Sequence, residues 1–109
     1  VKVFGVTTPQ RLSTMPNIPT LDEQGLKGFD VKVWHGMYAP KGTPAEAIKK
    51  INAALNVALK DPVVMQRITD LSSELVTPDR ATPQSLKTLL ESEVKRWNTV
   101  IRAAGVTAE

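Results

Sequence analysis

The segment PNIPTLDEQGLKGFDVKVWHGMYAPKGTP, residues 16–44, constrains this chain more than any other stretch. Proline and glycine punctuate it so closely that no long helix fits inside it. Thr20 stands three positions before Glu23, the spacing of a capping box, and so predicts the start of a short helix. Gly25 supplies a left-handed stop for that helix, and Gly28 marks a second turn. Residues 29–39 then read as a strand. Val31, Val33 and His35 share one face of it, and Lys32, Trp34, Gly36 and Tyr38 share the other.

Residues 1–6 are a short apolar run with β-branched members, which predicts a buried strand. Pro9 and the polar QRLST that follows end it. After Tyr38 the character turns helical. Thr43-Pro44, Asp61-Pro62 and Thr82-Pro83 each place a capping side chain before a proline, a strong helix-start signal. Glu46 completes a capping box with Thr43. The expected buried stripes are Ile48, Ile51, Leu55 and Leu59 on the first helix, and Met65, Ile68 and Leu71 on the second. The last helix, from about Pro83 to Ala104, carries Leu86, Leu90, Val94, Trp97 and Ile101, and Gly105 ends it. Residues 74–77 fit a short strand or an extended connector. There is no internal repeat and no low-complexity tract.

Composition removes several function classes. The chain has 109 residues, 41% of them hydrophobic, which suits one domain with a core. The net charge is +3, and aromatic residues are only 5%, too few for a nucleic-acid stacking platform. With no cysteine, thiolate metal sites and disulfides are excluded. A single histidine leaves no multi-histidine metal site and little for a catalytic triad. No run approaches the roughly 20 apolar residues of a membrane helix. No cofactor and no nucleic-acid partner are expected.

The candidate ligand contacts are Thr7, Thr8, Trp34, His35 and Tyr38. Thr7 and Thr8 end a strand, where open α/β sheets place their ligands; they equally begin a polar turn. Trp34 and Tyr38 share a strand face and join an apolar body to a polar tip; core packing accounts for them as well. His35 has no partner base or orienting group in the pattern, so it reads as structural rather than catalytic. Nothing pairs a nucleophile with a base, and an enzyme is not expected.

The ordered set of turns and strands resembles the Bug receptors, the extracytoplasmic solute-binding proteins of tripartite tricarboxylate transporters. In that family a strand ending in V-T-S precedes a loop closing in P-x-x-P-T. A G-L-x-G-[FY] turn and a strand reading W-x-G-x-x-A-P-x-G-T-P follow. The matching residues here are Val6, Thr7, Thr8, Pro16, Pro19, Thr20, Glu23, Gly25, Leu26, Gly28, Phe29, Trp34, Gly36, Ala39, Pro40, Gly42, Thr43 and Pro44. His35 departs from the aromatic common there. Asp61-Pro62, Thr82-Pro83, Trp97, Ala104 and Gly105 extend the similarity to the whole chain.

The resemblance implies an α/β fold, a partial periplasmic-binding-protein type II fold with few strands followed by three helices. It implies a small carboxylate ligand and no chemistry. Only the family's C-terminal portion is matched. Residues 1–33 then correspond to the second lobe, 34–43 to a crossover strand and turn, and 44–109 to a helical segment from the first lobe. Strands and helices without their neighbours leave backbone groups and apolar stripes uncovered, so a homo-oligomer, most simply a dimer, is expected to complete the fold. The alternative reading is an oligomeric structural or interaction protein that has lost ligand binding. Membrane transporter subunits are partners only as part of a full-length receptor. The resemblance implies the periplasm. The opening VKVFGVTTPQ shows no signal peptide, and a complete product lacking one is expected in the cytoplasm.

Overall fold

The computed structural model describes residues 2–107. Val1, where the expected first strand begins, lies outside the described residues, as do positions 108 and 109 at the end of the expected 44–109 segment. Three helices are present among the described residues: α1 (Ala45–Ala58), α2 (Pro62–Asp70) and α3 (Pro83–Ala103). The chain divides into two compact units, Val1–Met37 with Asp61–Leu75, and Tyr38–Lys60 with Val76–Glu109.

The first unit is organised around Val6 and Thr20. They form a parallel bridge, with the Val6 amide donating to Pro19 O at 3.0 Å and the Leu21 amide donating to Val6 O at 2.9 Å. On the opposite edge of the same segment, the Val31 amide donates to Thr7 O at 2.9 Å. Three extended segments therefore lie side by side, but each neighbour shares only one or two bonds with the middle one. No strand ladder forms among the described residues, which corrects the expected strands at residues 1–6 and 29–39. A strand exists through its partners, and from Lys32 to Ala39 no backbone bond to another segment is made. Residues 74–77 form no strand either.

The expected short helix after Thr20 is instead a single turn. Its capping box is intact: Glu23 N donates to Thr20 Oγ1 at 3.0 Å, and Thr20 N donates to Glu23 Oε2 at 2.7 Å. One helical bond, from Gln24 N to Thr20 O at 3.3 Å, is all that fits before Gly25 reverses the chain at φ +108. Gly25 N then donates to Asp22 O, and Leu26 N to Leu21 O, the paired bonds of a Schellman stop. α2 starts as the sequence predicts, with Asp61 Oδ1 accepting from the amides of Val63 and Val64 at 2.8 and 3.2 Å. It ends on Ser72, the one non-glycine residue with positive φ (+54) among those described. An L residue there costs about 1–2 kcal/mol, partly offset by the 3.2 Å bond between the Thr14 and Ser72 hydroxyls.

In the second unit, α3 is capped as expected, with Thr82 Oγ1 accepting from Ser85 N at 3.1 Å. α1 is not. Thr43 Oγ1 donates to Pro40 O at 2.8 Å, Pro44 takes the cap position, and Glu46 closes no capping box. The reason is local competition. Gly42, at φ +87, lets residues 40–43 close a tight turn, and both donors of Thr43 are used in it. Asn52 and Asn56 on α1 donate together to Ala81 O at 3.0 and 3.1 Å, holding the buried Ala81 ahead of α3.

No residue of any helix is fully buried. Leu86, Leu89 and Trp97 are the half-buried apolar residues of α3, while the expected stripe members Leu90, Val94 and Ile101 are exposed. Val33 is 87% exposed, Phe4 78% and Leu71 77%. The accessible area is 9081 Å², whereas two separate compact bodies of half this length would expose about 7,200 Å² together. Of the expected stripe residues, Ile48, Leu55, Leu59, Ile68, Leu86 and Trp97 are half-buried, and Ile51, Met65, Leu71, Leu90, Val94 and Ile101 are exposed.

Two substitutions check this account. A Cβ at Gly5 would lie 2.9 Å from Leu21 Cδ2 and 3.3 Å from Pro19 O, and closer still to Gln24 Nε2. Gly5→Ala is therefore expected to destabilise the chain by about 1–3 kcal/mol in urea unfolding. Asp61→Ala removes the cap of α2 and is expected to lose about 1 kcal/mol in the same assay.

Candidate functional site

Four of the five candidate contacts lie in the first unit. Thr7 and Thr8 follow the Val6–Thr20 bridge, and the bond from Val31 N to Thr7 O brings the strand-like segment of Trp34 and His35 off the same edge. Thr7 is exposed. Thr8 is half-buried, and its hydroxyl donates to Gln10 O at 2.7 Å. Trp34 is half-buried and His35 exposed; neither makes a side-chain hydrogen bond among the described residues. Tyr38, also exposed, belongs to the second unit. Within the first unit, the bond from Val31 N to Thr7 O joins the Thr7–Thr8 edge to the segment that runs on to Trp34 and His35.

The most connected polar cluster is one the sequence reading missed. Arg11 Nε donates to both carboxylate oxygens of Glu23 at 3.1 and 3.0 Å, and Arg11 Nη1 donates to Pro16 O at 3.0 Å. Glu23 was legible as a cap because that rule spans three residues. Arg11 was not, because its partner lies twelve positions away across a loop. Beside it, Asp22 accepts from Gly28 N at 2.7 Å and from Lys27 Nζ at 3.2 Å. Gln24 Nε2 donates to Phe4 O at 2.8 Å, tying the turn to the first segment.

These contacts set the charges. The Arg11 guanidinium, with the Thr20 amide, holds the Glu23 carboxyl below its ordinary value of 4.5. The Gly28 amide, with Lys27, holds Asp22 below 3.8. Arg11 is raised in turn by Glu23. Among the described residues no cluster of histidine and carboxylate side chains is arranged to hold a metal ion, and no helix is long and apolar enough to cross a membrane. A shallow, open depression on α2, lined by Pro62, Val63, Gln66, Arg67 and Asp70, shares no residue with the candidate set.

The chain as a whole has counterparts among known proteins. Residues 1–106 match the model of the tripartite tricarboxylate transporter family receptor, and the chain belongs to that family. A UPF0065 protein from the TAR-I ttuE-ttuC' intergenic region of Agrobacterium vitis is 44% identical over 105 residues, 96% of this chain and 30% of its own length. The periplasmic binding protein BugD superposes with a TM-score of 0.85 at 39% identity, over 96% of this chain and 35% of that one. MatC from Rhodopseudomonas palustris, solved with bound malate, superposes at 0.83 with 37% identity, over 92% and 34%. The chain spans about a third of the length of these relatives.

Both depressed carboxylates predict acid sensitivity. A group with a lowered folded-state pKa stabilises fully above its unfolded value and loses that contribution as pH falls through the folded value. The turn at residues 20–25 is therefore expected to hold at pH 6 and to loosen below about pH 4. Amide exchange at Glu23 and Gly28, whose bonds depend on this turn, reads the change.

Proposed function

We propose that this chain is the carboxylate-receptor portion of a solute-binding protein of tripartite tricarboxylate transport, acting without catalysis. One observation carries the reading: the chain superposes on malate-bound MatC over nearly its full length, at an identity that indicates more than a shared fold. Thr7, Thr8, Trp34, His35 and Tyr38 are the proposed contacts. Hydroxyl and imidazole donors suit a carboxylate, which only accepts hydrogen bonds, and Trp34 and Tyr38 supply apolar walls with polar tips.

The proposed complete architecture is α/β, with residues 34–43 crossing between a second-lobe segment, 1–33, and a helical first-lobe segment, 44–109. The boundary between the compact units at Met37 and Tyr38 falls inside 34–43 and supports placing the crossover there. BugD is a periplasmic binding protein, which supports a periplasmic site of action. Transporter subunits become partners only through a full-length receptor.

A second reading, a self-associating structural protein, is favoured by a separate observation. Val33, Phe4 and Leu71 are almost as exposed as in an unfolded chain, and a surface of that kind joins a second copy readily.

Thermal unfolding with a malate series separates the two readings. The receptor reading predicts that malate raises the melting temperature in step with its concentration, by the logarithmic law of a ligand that binds only the folded state. It also predicts that Thr8→Val weakens the response several-fold. A melting temperature indifferent to malate and to other di- and tricarboxylates leaves the structural reading.

A further inference from the structure

Residues 8–19 leave the Val6–Thr7 segment and return beside it. The bond from Val6 N to Pro19 O closes their two ends at 3.0 Å. This is an Ω-loop: a surface excursion with close ends. Its own backbone bonds are two local turns, Met15 N to Leu12 O and Ile18 N to Met15 O, both 3.0 Å. Only Thr8, Leu12, Ile18 and Pro19 in it are even half-buried. A loop so poor in apolar burial is not held down by packing.

Among the described residues, two of its side chains hydrogen-bond to the rest of the unit. Thr14 meets Ser72 through hydroxyls at 3.2 Å. Arg11 carries the rest: two bonds to Glu23, and one to Pro16 O that braces the loop across its own width. The carboxylate receiving Arg11 also accepts from Thr20 N at 2.7 Å, and Thr20, 1% exposed, is the most deeply buried side chain described. The carboxylate that receives Arg11 is thus joined to the most buried side chain described. Its N-terminal end is Thr8, whose hydroxyl is committed to Gln10 O inside the loop.

We infer that Arg11 is the latch of this Ω-loop, and that its hold on Glu23 decides whether residues 8–19 are docked or open. Docked, the loop keeps the Thr8 hydroxyl turned into its own first turn. Open, it releases that hydroxyl at the edge where Thr7 and Thr8 stand. The latch stands on the contacts above; only its link to a ligand rests on the receptor reading.

The test is amide exchange on the full chain without ligand, read at Met15 and Ile18 against the α3 amides. Arg11→Gln removes the latch. Glu23→Gln removes its charge but keeps a capping side chain, since glutamine closes the same box. Each single variant is expected to speed exchange at Met15 and Ile18 by roughly three- to fivefold, the scale of an exposed charged contact, with α3 unchanged. The double variant is expected to exchange no faster than Arg11→Gln alone, because that variant already removes the Glu23 pair along with the bond to Pro16 O. Should either variant unfold, a salt series on the unaltered chain decides. Screening is expected to speed exchange at Met15 and Ile18 and not in α3. Loop exchange that ignores salt and variants, or effects that add in the double variant, overturns the latch. A null malate response with the latch effect intact would count against the receptor reading alone.

Discussion

The parallel bridge between Val6 and Thr20 is the contact on which the first unit depends. Val6 presents its amide and carbonyl to residues 19 and 21, and the next carbonyl in line faces Val31. That alternation is the backbone logic of a central strand. It leaves no room for a side chain at Gly5, packs Thr20 almost free of solvent, and brings Gln24 against Phe4 O. The Glu23 carboxylate then joins the same point to the loop through Arg11. Burial, capping and charge converge on a few residues, while most apolar side chains elsewhere remain in solvent.

What was legible in the sequence follows the range of each interaction. Asp61-Pro62 and Thr82-Pro83 read correctly because a cap is decided within three residues. Thr43-Pro44 has the same form, yet its hydroxyl turned back to Pro40 because Gly42 offered a tight turn one residue earlier. The Thr20–Glu23 box was legible, but the helix it announced was cut to one turn by Gly25. The strands could be read as extended segments and not as a ladder, since pairing is a property of neighbours that local patterning does not contain. For the candidate site, one backbone bond, Val31 N to Thr7 O, joins the Thr7–Thr8 segment to the stretch that leads to Trp34 and His35, whereas Arg11 escaped notice because its partner is distant in sequence.

The apolar stripes connect the fold to its family. α3 carries one apolar stripe, half-buried at Leu86, Leu89 and Trp97 and exposed at Leu90, Val94 and Ile101. A stripe of that kind is suited to burial against a neighbour. Val33, on the strand-like segment, also stands in water. Membership of the receptor family, at about a third of its relatives' length, gives this pattern a consistent meaning. We propose that these residues are suited to a sheet with helices packed against it, and that a second copy of the chain supplies their cover.

The central proposal is that a second copy of the chain covers these exposed apolar residues. Sedimentation equilibrium of the purified chain over a hundredfold range of concentration tests it most directly. The account predicts a mass that rises with concentration toward that of two chains, with tryptophan emission shifting to the blue as the faces are covered. A monomer at every concentration that unfolds cooperatively would contradict it.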